Sequence, residues 1–143
     1  MNQLVHVTPD THPSLIDIDD KRGWVYCIRD HVAEAVKIGF SADPHRRLMQ
    51  LQTGSAGRLH LVGAVFTARK AEKHLHWTFE DLNIGGEWFA DQSGALTAEL
   101  RKAFLGDEST FNAWLVLQLR KSAQARLEHA DALEAEALQE SAA

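Results

Sequence analysis

Gly23-Trp24-Val25-Tyr26-Cys27-Ile28-Arg29, followed after a short gap by Ala35-Val36-Lys37-Ile38-Gly39-Phe40, is the stretch that decides the fold. Aromatic and β-branched side chains dominate both runs, and such side chains suit a pleated, half-buried surface. The gap from Asp30 to Glu34 is loop length, so the two runs are expected to pair as an antiparallel hairpin. On the first strand Tyr26 and Cys27 must face opposite ways, which assigns Cys27 to a core.

Working outward, Ser41-Ala42-Asp43-Pro44 offers an N-cap with proline in the first turn, Leu48 and Leu51 share one face, and Gly54 stops the helix. Leu59 to Phe66 is apolar and valine-containing, a third strand. Thr67 is placed to cap the next helix, where Ala71, Leu75, Phe79 and Leu82 recur at helical spacing until Gly85-Gly86. The order is therefore β-β-α-β-α. Beyond Glu87-Trp88-Phe89, Ser93 is expected to open a short helix carrying Leu96, Leu100 and Phe104, and Gly106-Asp107 interrupts it. The final segment, from about Ser109 to Glu140, reads as one long helix, amphipathic at Phe111, Trp114, Leu115 and Leu119 and poorer in large apolar residues afterwards. Three parts result: an N-terminal arm over 1–22 with Pro9, Pro13 and four aspartates, a domain over 23–90, and a helical extension over 91–143.

The chain has 143 residues, the size of one domain with a short appendage, and its 45% hydrophobic content is enough for a core. Cys27 is the single cysteine and excludes an intrachain disulfide. No basic start followed by an apolar run is present, and no stretch of about 18 apolar residues, so a cytoplasmic protein without membrane contact is expected. Formal net charge is -5, which taken alone argues against nucleic acid as partner. The distribution changes that reading locally, to either a phosphate-facing basic surface or an ordinary solvated mixture of charges. Lys37, Arg46, Arg47, Arg58, Arg69, Lys70 and Lys73 face only Asp43 and Glu72 between residues 37 and 73, a net of +5 that leaves -10 for the remainder.

Four polar residues can converge in a β-β-α-β-α arrangement: Tyr26 and Lys37 from paired strands, Arg47 from the first helix and Glu72 from the second. A carboxylate holds a hard divalent cation through oxygen, and such an ion can take up charge on a phosphate and its leaving oxygen. Arginine suits planar, multi-donor recognition of phosphate. A phenol titrates near pH ~10, and adjacent positive charge favours its phenolate, which gives a lysine beside it a chemical purpose. Each residue also has a purely structural reading, as strand packing, edge charge or solvated helix surface.

The spacing singles out the chemical reading. Gly23-Trp24-Val25-Tyr26, Lys37-Ile38-Gly39 with its lysine eleven residues beyond the tyrosine, Arg47-Leu48, Glu72 with His76 and Phe79, and Gly86-Glu87-Trp88-Phe89 together resemble the GIY-YIG nuclease superfamily. More narrowly they are similar to its phage and bacterial branch with KIG and GEWF motifs, the meiotically up-regulated gene 113 type. The resemblance covers residues 23 to 90. It implies an α+β fold with a small three-stranded antiparallel sheet flanked by helices, to which the helical C-terminal extension is added. It also implies an endonuclease that hydrolyses phosphodiester bonds in DNA with one divalent metal, most often magnesium with manganese as a substitute, leaving a 5′-phosphate and a 3′-hydroxyl. Carried over by position, Tyr26 is the general base, Lys37 its activating neighbour, Arg47 the phosphate clamp and Glu72 the metal ligand. The first motif departs from the superfamily in reading Trp-Val-Tyr, and Asn83 is only a loose candidate for the asparagine that follows the glutamate in many members.

His76 lies one turn beyond Glu72 and can share the site, contacting water or phosphate, or can bond to backbone near Gly86. His74 faces away from His76, which argues against a zinc pair. Arg46, Arg58, Arg69, Lys70 and Lys73 are candidate phosphate contacts, and Trp88 and Phe89 are expected to close the core. DNA is the expected partner, with RNA an alternative. The acidic extension is a poor DNA-binding arm, and its apolar side chains imply packing on the domain or on a second copy, a homodimer through the C-terminal helices. A different class of function is a catalytically inactive nucleic-acid-binding or protein-interaction module on the same fold. Among eleven aromatic residues Tyr26 is the only tyrosine, so a phenolic base rests on it alone.

Overall fold

The computed structural model of the chain describes residues 21–142. The arm expected over 1–22 lies outside those residues except for its last two, of which Arg22 already opens the first strand. The elements are β1 (Arg22–Asp30), β2 (Ala35–Ser41), α1 (Pro44–Thr53), β3 (Leu59–Ala68), α2 (Lys70–Thr78), β4 (Asn83–Gly85), β5 (Trp88–Ala90), α3 (Ala95–Ala103) and α4 (Glu108–Ala142), with short 3-10 turns before β4 and before α3.

All strand pairs are antiparallel, in the order β3-β1-β2-β5-β4. The expected β1–β2 hairpin is present, with Tyr26 opposite Gly39 and Ile28 opposite Lys37. The sheet has five strands where three were expected. The two additional strands are three residues each, too short for alternation to show in sequence. They fold back on each other through Gly85 and Gly86, whose φ values of 134° and 54° admit glycine and few other residues. The side chain of Asn83 fastens this turn: its amide donates to the carbonyls of Gly86 and Trp88, and its oxygen accepts from the Gly85 N–H.

Strand alternation separates two apolar layers. Val25, Cys27, Val36, Ile38, Val65 and Phe89 pack against Ala71 and Leu75 of α2, Leu96 and Leu100 of α3, and Phe111 and Leu115 of α4. The opposite face carries Tyr26, Ile28 and Leu59 beneath Leu48 and Leu51 of α1. Cys27 is fully buried on the first of these faces, as the alternation required. Asp43 caps α1 by accepting from the Arg46 N–H at 3.1 Å, with Pro44 following it.

Two expected caps are not used. Thr67 remains in β3, and its hydroxyl donates to Glu108 at 2.8 Å, so α2 starts only at Lys70. Ser93 sits in a left-handed turn (φ 60°), and α3 is capped from further back by Asp91, whose carboxylate accepts from the N–H groups of Leu96 and Thr97. The buried Asp91 carboxylate is charge-paired with Arg29, which ties the end of β1 to the start of α3.

The long C-terminal helix is α4, 35 residues. Phe111 and Leu115 are buried and Trp114 and Leu119 pack beside them, after which the helix leaves the body. Further along, Arg126 lies 3.6 Å over the Trp77 ring and bonds to the Trp77 carbonyl and to Glu80. Among the described residues no helix is long and apolar enough to cross a membrane.

Candidate functional site

Five side chains from four elements and a loop meet around β2. Tyr26 projects from the middle of β1 and is almost fully buried, and the Arg47 guanidinium of α1 is near enough to favour its ionised form. Lys37, on β2, donates to Glu87 Oε1 at 2.8 Å and lies 5.8 Å over the Trp88 ring. Glu87 is held there by the backbone, because its carbonyl accepts from the Ile38 N–H at 3.0 Å. Glu72, from the first turn of α2, comes near enough to the Glu87 carboxyl for the two charges to act on each other.

α2 is aligned for this by His76. Its Nε2 lies 2.8 Å from the Ile38 carbonyl oxygen, and its ring packs on Phe89 with centroids 5.1 Å apart. Both backbone groups of Ile38 are therefore occupied on the same edge of β2, one by Glu87 and one by His76. His76 lies 3.9 Å from Glu72 Oε2 and bonds to the backbone at Ile38, not near Gly86. Its geometry is that of a pin between α2 and β2.

The electrostatics follow from the two adjacent carboxyls. Burial, and then the charge and hydrogen bond of Glu87, push the Glu72 carboxyl up to about 7. Burial acts upward on Glu87 too, but the hydrogen bond and charge of Lys37 outweigh it and hold that carboxyl below its ordinary range. Burial raises the Tyr26 phenol above its usual 10; Arg47 pulls it down, and the Glu87 charge adds to the rise. Arg47 is thus the cation that favours the phenolate, the part that sequence spacing had given to Lys37, whose ammonium is bound to Glu87 instead.

The remaining candidates are spread out. Arg46 is exposed on α1 beside Arg47. Arg58 and Arg69 are exposed at opposite ends of β3, on the order of 30 Å apart at ~3.3 Å per residue, so they do not form one patch with each other. Arg69 lies 5.8 Å over the Phe40 ring. Lys73 borders an apolar groove with Trp77, Leu119 and Ala123, away from the carboxyl pair, and Lys70 is half-buried at the start of α2. Phe89 closes the core as expected, whereas Trp88 lines an open groove of about 440 Å³ together with Gln50, Leu51 and Leu59.

Glu87 is the residue that sequence reasoning passed over as a site group. It was visible only as the acidic letter of Gly86-Glu87-Trp88-Phe89. The available signal was a carboxylate placed between a glycine turn and an aromatic strand, where backbone pairing fixes its position.

A phenol, a guanidinium, and two neighbouring carboxyls, one of them paired with a lysine, are assembled on the antiparallel sheet of an α+β domain. Residues 23–104, more than half of the chain, match the family model of the T5orf172 domain. The chain belongs to the T5orf172 domain family, a nuclease-like, DNA-binding kind of domain, and its role is related to nucleic acid. This overturns the assignment to the GIY-YIG superfamily and its meiotically up-regulated gene 113 type. That assignment rested on five short motifs within 23–90, whereas the family match extends through α3 to residue 104. No curated protein and no solved structure matches the chain.

Proposed function

We propose that the protein is a metal-dependent endonuclease that hydrolyses phosphodiester bonds in DNA at the Tyr26–Arg47–Glu72–Glu87 site. The observation that carries this reading is the meeting of two carboxyls, Glu72 from α2 and the lysine-paired Glu87 from the loop before β5, near a phenol that Arg47 acts on electrostatically.

The donor set fits a hard divalent cation. Two carboxyls forced together, one of them pushed up to about 7, are an arrangement that a divalent ion relieves. Among the described residues no group of three or more His, Cys, Asp and Glu could enclose a metal. Magnesium keeps several waters and is bound through one or two carboxylates plus substrate phosphate, the number of carboxylates that Glu72 and Glu87 supply. Glu72, with Glu87 beside it, would hold the ion. Once bound it would take up charge on the phosphate and the leaving oxygen, and offset the carboxylate charges that raise the Tyr26 phenol.

Arg47 binds a phosphate oxygen through its planar fork while its charge continues to act on Tyr26. Tyr26 takes the proton of the attacking water, a role in which Arg47 favours its phenolate. Lys37 fixes the orientation of Glu87, and His76 fixes α2 so that Glu72 points at the same place. Plasmid cleavage should therefore require magnesium or manganese and fall by at least ~100-fold in Glu72→Ala and Tyr26→Phe, within the range that general acid–base groups contribute. Cleavage by Glu72→Ala at the wild-type rate would sink the proposal.

A second reading, a catalytically silent DNA-binding module, is favoured by one observation: Tyr26 is only 1% exposed and its phenol is raised, not lowered. It expects DNA binding with no metal-dependent cleavage of any substrate by the wild-type protein.

A further inference from the structure

Trp24 and Phe66 face each other across β1 and β3, rings 5.5 Å apart and inclined at 74°. They stand on the same sheet face as Tyr26, because Trp24 precedes it by two residues and Phe66 pairs with Trp24 while Ala64 pairs with Tyr26. Both rings are open to solvent, Trp24 by 36% and Phe66 by 45%, although each is large and apolar. Neither belongs to the two apolar layers of the fold.

This pair differs from the other exposed tryptophan near a helix. Trp77 is covered at 3.6 Å by Arg126 of the same chain. Over Phe66 the nearest cation, Arg22, is 5.3 Å from the ring centre and is held in place by Glu108, which it meets at 2.8 Å with both carboxylate oxygens.

We infer that Trp24 and Phe66 form a stacking shelf for an unpaired nucleobase next to the phosphate held at Tyr26 and Arg47. The inference rests on the endonuclease reading and deepens it: the substrate is single-stranded or locally unpaired DNA. Two residues along β1 carry the chain about 7 Å, roughly one step of an extended nucleotide strand, so a base on Trp24 leaves its neighbouring phosphate at Tyr26. With the rings at 74°, a base lying flat on one meets the other near its edge. Every base has a π-face, so such a shelf selects for unpaired bases and not for sequence. It also reconciles the chain's net charge of -5 with a nucleic-acid ligand, since a few stacked nucleotides need fewer phosphate contacts than a duplex tracked along its backbone.

The test uses the full chain with chelator present, so that binding is read without cleavage. A fluorescently labelled oligonucleotide is titrated as single strand, as blunt duplex, and as a single strand with abasic sites. Trp24→Ala and Phe66→Ala are each expected to weaken single-strand binding about 10-fold or more, in line with base–aromatic stacking. Trp24→Phe should retain most of the affinity, abasic sites should mimic the alanine variants, and duplex binding should not change. Trp24→Leu and Phe66→Leu keep an apolar side chain at each position, and thermal melting checks that every variant is folded. Folded variants that bind the single strand as wild type does, or that lose single-strand and duplex binding equally, overturn the shelf. Shelf-dependent binding by a protein that never cleaves would retain the shelf and remove the endonuclease. Cleavage unaffected by Trp24→Ala does the reverse.

Discussion

The Tyr26 ring lies directly over Gly39: a methyl group placed on that glycine would stand 2.4 Å from the phenol oxygen and 2.5 Å from the ring carbon that bears it. The two residues face each other across the β1–β2 ladder, and the absence of a side chain at 39 is what lets the ring lie flat. Gly39→Ala should therefore push the phenol off its position. The expected cost is about 1–3 kcal/mol in stability, as for an overpacked core, together with a loss of cleavage comparable to that of Tyr26→Phe. Chemical denaturation and a plasmid assay on the same variant separate the two effects. Wild-type stability and activity in Gly39→Ala would show that the ring has another place to go.

Because Tyr26 is the only tyrosine, its ionisation can be followed directly by the ultraviolet absorbance of phenolate. Burial sets its pKa above 10, Arg47 lowers it and Glu87 raises it. Arg47→Leu should move the titration further up, and Glu87→Gln should move it down. Magnesium should act in the same direction as Glu87→Gln, by offsetting the same charge. If Glu87→Gln leaves the curve in place, the carboxyl pair and the phenol are not one electrostatic unit.

Glu72 gives a stability prediction whose sign is fixed by its surroundings. Its carboxyl stands at about 7 in the fold against an ordinary 4.5, so the folded state favours the protonated form. That contribution is complete below pH about 4.5 and is lost as the pH rises through about 7. Glu87, held low after Lys37 overcomes its burial, runs the opposite way and offsets part of it. Glu72→Gln keeps a neutral partner for Glu87 at every pH. In metal-free buffer it should stabilise the protein at pH 8 by about 1 kcal/mol, after allowance for solvent screening, and have little effect at pH 5. Urea denaturation at the two pH values measures it, and an equal change at both would remove the carboxyl pair as its source.

The alternation of Tyr26 and Cys27 made the hairpin and its two faces legible, because a strand nine residues long carries enough of its period to be read. β5, at three residues, carries too little, and its place beside β2 depends on backbone pairing between Val36 and Phe89 that no local pattern records. The same limit explains the site. Tyr26, Lys37, Arg47 and Glu72 could be grouped from element order. That Glu87 would take Lys37 for itself, leaving Arg47 to the phenol, depends on the Ile38–Glu87 backbone bond across the sheet. Charge in the sequence likewise suggested one basic surface over residues 37–73, whereas the length of β3 sends Arg58 and Arg69 to opposite ends.

The end of α4 separates a helix that serves the fold from one that serves assembly. Arg126 grips the body through Trp77 and Glu80, and every residue from 127 to 142 is exposed, including Leu127, Leu133 and Leu138. Truncation after Arg126 should therefore leave the melting temperature of the isolated domain nearly unchanged. Arg126→Ala in the full chain should lower stability by about 1 kcal/mol, the scale of a partly exposed cation–π contact. Light scattering on the full chain and on the truncated form then decides what the projecting helix is for. A full chain of twice the monomer mass that becomes monomeric on truncation assigns residues 127–142 to a homodimer. A monomer in both forms removes that assembly and leaves the exposed leucines to a different partner.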